Sequence, residues 1–293
     1  MAQQFDPEMH RQMGVEADVV LRVGMLLMGA GTSGYRVLRG MKRSARALGF
    51  DHLDATVGLT QITCTFHRGE YFRTVIARQH SPAVDASRIE ALEDLTHNRL
   101  YAGITAQELA AMLDTIEHNV KKRWGGLILS FAAAIACAAF AYLNFFPLEA
   151  VGLVALAAFA GQFVRYTVLH RHVHQIGGVI AGGATASIVF FLLTEFFGAI
   201  GSVEPSELSS GFVAAVLFLI PGFPLFSALI DIARFDLDAG IVRLGYAFTV
   251  IFTAAFTVSM VSWLTKLSPD PPAPAQDMQW FLLAPLASFL GIA

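Results

Sequence analysis

After Lys121-Lys122-Arg123 the chain loses the means to face water. Residues 124–293 hold five basic and nine acidic side chains among long runs of Ala, Val, Leu, Ile, Phe and Gly. Five of those runs, 125–146, 148–169, 176–200, 211–233 and 241–264, are long enough to cross roughly 30 Å of hydrocarbon as helices rising about 1.5 Å per residue. A sixth, 278–293, is short for a span and stops with the chain, so it reads as a helix cut off part-way. The expected fold is a membrane α-helical bundle of five spans plus a truncated sixth, carrying a small N-terminal cytoplasmic α+β domain. The expected division is 1–123 for that domain, 124–267 for the five membrane helices, and 268–293 for a Pro-rich extracytoplasmic linker and the start of the sixth helix.

Over the 293 residues 15% are charged, against roughly 25% in a soluble domain. A soluble enzyme is excluded. The net charge of −3, with no basic cluster beyond a membrane-flanking patch, excludes a nucleic-acid partner. Cys64 and Cys137 read as free thiols of a reducing compartment. The opening residues carry Asp6, Glu8, Glu16 and Asp18 and lack the basic start and apolar stretch of a signal peptide, so the N-terminus is expected to stay in the cytoplasm. No triad spacing, H-E-x-x-H or P-loop occurs, and neither a cofactor nor a metal is implied.

Within 1–123 the pattern predicts one amphipathic helix over 14–48, ending at Leu48-Gly49 with Arg43 and Arg46 in its last turns. Two β-like runs, 55–67 and 70–79, joined at Arg68-Gly69, predict a hairpin, with a phase slip that marks a bulge at Thr60-Gln61 or an irregular strand. Ser81-Pro82 breaks the pattern, and 85–100 and 105–118 read as short helices. The second opens on a capping box, Thr105 with Glu108. Gly29-x-Gly31-x-x-Gly34, with Asp54 downstream, matches a dinucleotide fingerprint, yet no strand leads into it and too little chain remains for a doubly wound sheet. It reads instead as a helical stretch of small residues made for close packing.

Basic residues set the orientation. Lys121, Lys122, Arg123, Arg165, Arg171, Arg234 and Arg243 fall on one side, which is then cytoplasmic; the other side has only Lys266 near it. His170-Arg-His172-Val-His174 lies in a cytoplasmic turn and reads as interfacial, since no acid or cysteine completes a metal shell. Gly178 and Gly182 give the third span a small-residue face for helix packing. In the fourth run Pro221 and Pro224 remove backbone donors around Gly222, so the span should kink or unwind there, as binding sites in broken transporter helices do. Asp231 follows two turns on, either carrying protons beside a cavity or pairing with Arg234 or capping the next helix. Arg165 either snorkels or meets an anionic substrate; Glu195 is an interfacial residue or an outer proton gate, and the two are too far apart to pair.

Tyr35-Arg36 in the first helix, a Thr-rich hairpin, two helices ending at a basic step, and Ile220-Pro-Gly-Phe-Pro-Leu leading to Asp231 together resemble the threonine/serine exporter family over about residues 15–265. That resemblance implies a secondary transporter of the bacterial inner membrane exporting small polar metabolites against proton entry. It implies threonine and serine as substrates, or succinate as in two-protein relatives, and a second set of spans supplied by a partner or a C-terminal continuation. Thr32-Ser33-Gly34 stand where the family often has acidic residues before the Tyr-Arg pair. The expected partners are thus the lipid bilayer, a small polar metabolite, the second-half partner or missing continuation, and, as an option, further copies of the chain. The competing expectation is a membrane-anchored ligand-sensing or regulatory subunit of a transport complex.

Overall fold

The computed structural model describes residues 7–79, 84–120, 124–171, 173–200 and 211–266. The basic step at 121–123, His172, Ser81-Pro82, residues 202–210 and the expected linker and sixth span at 268–293 lie outside them. The chain divides into two units, one of residues 1–125 with 220–253 and one of 126–219 with the residues from 254 on.

The first unit begins with α1 (Pro7–Gly29) and α2 (Gly34–Ala47). Pro7 sits at the first helical position, where a missing N–H costs nothing. Met13, Ala17, Val20, Val23 and Leu27 recur every three or four residues and are fully buried, which gives α1 one core-facing stripe. Val37, Met41 and Ala45 do the same for α2. The two helices approach through glycines: a Cβ on Gly40 would lie 2.7 Å from Leu27 Cδ1, and one on Gly24 would lie 2.5 Å from Met41 Sδ. The single helix expected over 14–48 is therefore two. Gly31 takes φ +88°, a conformation open to glycine, and the chain turns there.

The expected hairpin is a three-stranded antiparallel meander, β1 (His52–Val57), β2 (Gln61–Arg68) and β3 (Tyr71–Arg78). The phase slip in the first run is neither bulge nor irregular strand but a turn at Gly58-Leu59-Thr60, closed by the Gly58 N–H donating to the Gln61 carbonyl at 2.8 Å. Leu53, Val57, Ile62, Cys64 and Phe66 point into the core with the alternation of a half-buried sheet. Thr65 and Thr74 share a hydroxyl hydrogen bond of 3.0 Å across the outer face. Helix α3 (Ala86–Asp94) runs into a π turn at Leu95–Arg99, and α4 (Ala106–Asn119) opens on the expected capping box. The Thr105 hydroxyl accepts from the Glu108 N–H at 3.2 Å, and the Glu108 carboxylate accepts from the Thr105 N–H at 2.9 Å. That carboxylate is held below its usual range by the Thr105 backbone N–H first and the Thr105 hydroxyl second.

The second unit holds α5 (Gly126–Leu143), α6 (Leu148–His170), α7 (Gln175–Ala199) and the short α8 (Gly211–Ala214) with a 3₁₀ turn at Leu217–Leu219. Ala150, Val154, Ala157 and Ala158 meet Phe190 and Phe212 in its core, while Ile135, Leu156 and Leu192 are more than half exposed. Large apolar groups outside and small ones inside invert the soluble pattern, as a lipid solvent demands. Two further helices follow, α9 (Gly222–Ala233) and α10 (Leu237–Thr265). Helices α5, α6, α7 and α10 are long and apolar enough to cross a membrane; α8 and its 3₁₀ turn form with α9 a pair bent by 62°, which makes up to five spans among the described residues.

Candidate functional site

Two polar centres interrupt these apolar helices, one in each unit. In the second unit Arg165 stands on α6 where α6, α7 and the 3₁₀ turn meet. Its guanidinium donates from Nη1 to the Phe218 carbonyl at 3.4 Å, three residues before Pro221. That carbonyl belongs to the turn that ends α8, so a cation answers an acceptor released by the break. The meeting is possible because the helices carry glycine there. A Cβ on Gly161 would lie 2.7 Å from both Ala186 Cβ and the Gly182 carbonyl, and one on Gly182 would lie 2.9 Å from Arg165 Cβ. A Cβ on Gly178 would come as close, 2.8 Å, but to Leu169 Cδ2, the end of a flexible side chain. Gln162 Oε1 and Ser187 Oγ are also buried without a hydrogen bond among the described residues.

The break itself lies where the prolines put it. Pro221 is the N-cap of α9, the Gly222 N–H donates to the Ile220 carbonyl at 2.9 Å, and Pro224 falls in the first turn, where its lack of an N–H is harmless. Gly222 has open space where a side chain would start and no positive φ, so it supplies no close approach. Glu195 is exposed on α7.

The second centre, in the first unit, is built around Asp231 on α9. Asp231 is 0% exposed and its carboxylate accepts from the Gly34 N–H at 3.1 Å and lies 3.5 Å from the Tyr35 nitrogen. These are the first two amides of α2, which carry its partial positive charge. Ser33, the N-cap, makes no side-chain cap bond, and α2 has no acid in its first turn. Asp231 serves in their place. Arg243 of α10, 4% exposed, brings its Nε to 3.2 Å from Asp231 Oδ2. Asp236 caps α10, accepting at 3.4 Å from the Ala239 N–H, and its Oδ2 would lie 3.2 Å from a Cβ on Gly34. The Arg234 guanidinium lies 3.8 Å from the centre of the Tyr35 ring.

Of the residues singled out from sequence, Arg165 thus meets the turn before Pro221, Asp231 meets α2, and Glu195 meets neither. Asp231 pairs with Arg243 rather than Arg234, and Asp236 rather than Asp231 caps the following helix. Arg243, the Phe218 carbonyl and the α2 amides were not foreseen as partners. Arg243 is visible as a rare charge inside an apolar run, whereas a backbone carbonyl or amide leaves no trace in sequence. The glycine motif does open a helix, but a helix rather than a strand leads into it, and the anion at that helix terminus is the protein's own carboxylate. The His170 and His174 imidazoles bond locally, to the Tyr166 carbonyl and the Ile176 N–H, and no group of metal-binding side chains occurs among the described residues.

Comparison with known proteins finds a family model described as "Putative threonine/serine exporter" matching residues 18–265. A protein of Escherichia coli strain K12 named "Probable succinate transporter subunit YjjP" is 23% identical over 251 residues, covering 84% of this chain and 92% of that protein. Its namesake in Klebsiella aerogenes is 22% identical over 226 residues, 76% of this chain and 83% of the other. No solved structure matches the chain.

Proposed function

We propose, from the premise that the chain belongs to the threonine/serine exporter family and is a multi-pass membrane protein of a transporter family, that it is one subunit of a proton-coupled exporter of small polar metabolites. Residues 1–123 form its cytoplasmic domain, 124–267 its spans in the bacterial inner membrane, and 268–293 a linker on the far side with the start of a sixth span. The substrates are threonine- or serine-like amino acids, or dicarboxylates of the kind named for the relatives. A partner supplies the remaining spans, a reading supported by the word subunit in the relatives' names.

The observation that carries the reading is the ion pair of Asp231 and Arg243, 3.2 Å apart and 0% and 4% exposed, on the two helices that follow the break. A charge pair withdrawn from water on apolar helices costs several kcal/mol per ion in desolvation, and a well-packed apolar pair would be as stable. Such a pair fits a group that must gain and lose a proton during a cycle. In this reading Asp231 carries the proton, the bend at Pro221, Gly222 and Pro224 lets α9 move, and Arg165 and Glu195 take part in substrate or proton passage. The test is accumulation of labelled threonine, serine and succinate by inside-out vesicles under an imposed pH gradient, with the partner present. Accumulation that collapses with the gradient and is lost in Asp231→Asn supports the exporter. Gradient-insensitive vesicles with normal insertion would instead favour a ligand-sensing subunit.

A further inference from the structure

Around Asp231 several buried donors are left without a hydrogen bond among the described residues. The Gly34 and Tyr35 amides already face it. Arg243 Nε and Nη2 are buried and make no hydrogen bond among the described residues, although Nε stands 3.2 Å from Asp231 Oδ2. These two nitrogens form the side-on edge of the guanidinium, the edge that matches both oxygens of a carboxylate. The Ser33 hydroxyl, buried at the α2 N-cap, is likewise without a bond among the described residues. The acceptors show the opposite arrangement. Asp231 and Asp236 converge on Gly34, whose added Cβ would lie 3.7 Å from Asp231 Oδ2 and 3.2 Å from Asp236 Oδ2. Two acids stand beside a carboxylate-shaped set of donors.

We propose that this cluster is the receptor for a zwitterionic α-amino acid: the substrate carboxylate takes the Arg243 edge and the α2 amides, and the substrate ammonium takes Asp231 and Asp236. The inference rests on the exporter reading and deepens it. When the zwitterion enters, it parts the Asp231–Arg243 pair and leaves every buried charge matched, because each partner receives the opposite end of the ligand. A dicarboxylate would add two negative charges beside two acids and leave the pair nothing to exchange. Binding of the ammonium requires ionised Asp231, so proton and substrate exclude one another at that oxygen. Mutual exclusion at one group is what couples their movements in opposite directions. The other charged or titratable groups facing the cluster are Arg234 and the Tyr35 phenol, with Arg39 5.5 Å from the centre of that ring.

The experiment is equilibrium binding of labelled threonine to the full chain in lipid nanodiscs, with succinate, threonine methyl ester and N-acetylthreonine as competitors. Threonine should bind, each derivative lacking one charge should compete at least roughly tenfold more weakly, and succinate should not compete. Affinity should fall as the pH is lowered, because the proton takes the place of the ammonium. Asp236→Asn keeps a side chain suited to capping α10, so it should weaken threonine about tenfold while leaving the melting temperature in place. Arg243→Lys should preserve the charge but weaken threonine and spare binding of the methyl ester. Succinate competing as well as threonine overturns the proposal, as does affinity that rises with falling pH, the signature of a carboxylate replacing protonated Asp231. An unaffected Asp236→Asn does the same. Vesicles that export threonine while the nanodisc chain binds none would leave the exporter standing without this receptor. Threonine binding with the stated pattern, but no gradient-driven export, would leave the receptor standing without the exporter.

Discussion

The Asp231 carboxylate lies 3.1 Å from the Gly34 N–H, so a residue of α9 caps a helix that begins 197 positions earlier in the chain. The opposite end of that helix is closed by another distant side chain. Arg68 of β2 donates to the Leu48 carbonyl at 2.7 Å and to the Gly49 carbonyl at 3.2 Å. An anion at the positive end and a cation at the negative end both follow the macrodipole, and neither comes from the helix's own sequence. The α2 helix is thereby tied at one end to the sheet and at the other to a helix of the apolar half, within the same unit.

Asp231 and Arg243 should behave as one energetic element. Removing either charge leaves the other buried without its counter-ion, so Asp231→Asn and Arg243→Gln are each expected to destabilise the protein by about 3–5 kcal/mol. The double variant holds no orphan charge and should cost clearly less than the sum. Thermal unfolding in detergent across the four proteins measures the coupling; single effects that simply add would mean that the pair is not a unit.

Arg68 predicts a second loss, located at the other end of α2. Its guanidinium also pairs with Glu16 at 2.6 Å and lies 4.4 Å from the centre of the Phe50 ring. Arg68→Met keeps the aliphatic stem over Phe50 but drops two carbonyl bonds and the ion pair. The expected cost is about 2–3 kcal/mol, in the range for charge-assisted bonds to a partly buried group. Arg68→Lys should recover only part of it, because an ammonium cannot reproduce the fork. Hydrogen exchange localises the effect: faster exchange should concentrate in the last turn of α2, and uniform loosening would count against the capping role.

What could be seen in the sequence was whatever has a period or a composition. The apolar runs between 125 and 264, the capping box at Thr105 and Glu108 and the helix break at Pro221 are local signals, and each has its counterpart in the described residues, the fourth run as a bent pair of helices. Two local signals were misjudged. The turn at Gly58-Leu59-Thr60 joins strands of similar composition, so it resembled a slip in one strand, and Ala30–Ser33 interrupts a helical pattern through a single positive φ at Gly31. The partners of Asp231 and Arg165 were beyond reach for another reason: they are backbone amides and a carbonyl, identical at every residue, and only tertiary structure selects which ones meet a charge.

The glycines of the second unit are ranked by what a methyl group would touch. Gly161→Ala drives Cβ to 2.7 Å from a backbone carbonyl and from Ala186 Cβ, and Gly182→Ala to 3.1 Å from a carbonyl and 2.9 Å from Arg165 Cβ. Neither neighbour can swing aside, so each substitution should part α6 from α7 and cost about 1–3 kcal/mol. Gly178→Ala meets only the end of Leu169 and should cost far less, and Gly222→Ala meets open space. Melting temperatures in one detergent test the order Gly161 and Gly182, then Gly178, then Gly222. A Gly222→Ala protein as unstable as Gly182→Ala would contradict it.

Cys64 makes a prediction about pH. The side chain is 1% exposed in the core between sheet and helices, and burial pushes its thiol up to about 12 from an ordinary 9.0. Below pH 9 the thiol is protonated in folded and unfolded chains alike, so it contributes no pH dependence there. Above 9 the unfolded thiol ionises while the folded one stays neutral, so stability must fall by about 1.4 kcal/mol for each pH unit until the folded value near 12 is reached. Cys64→Ala removes that slope whatever it does to packing. The difference between the two proteins' denaturant midpoints should therefore be constant from about pH 7 to 8.5 and shrink from about pH 9 upward. In parallel, maleimide should label Cys64 in the native protein only at the rate at which this core opens, since thiolate and access are both denied. Rapid native labelling at neutral pH would place the thiol outside the core.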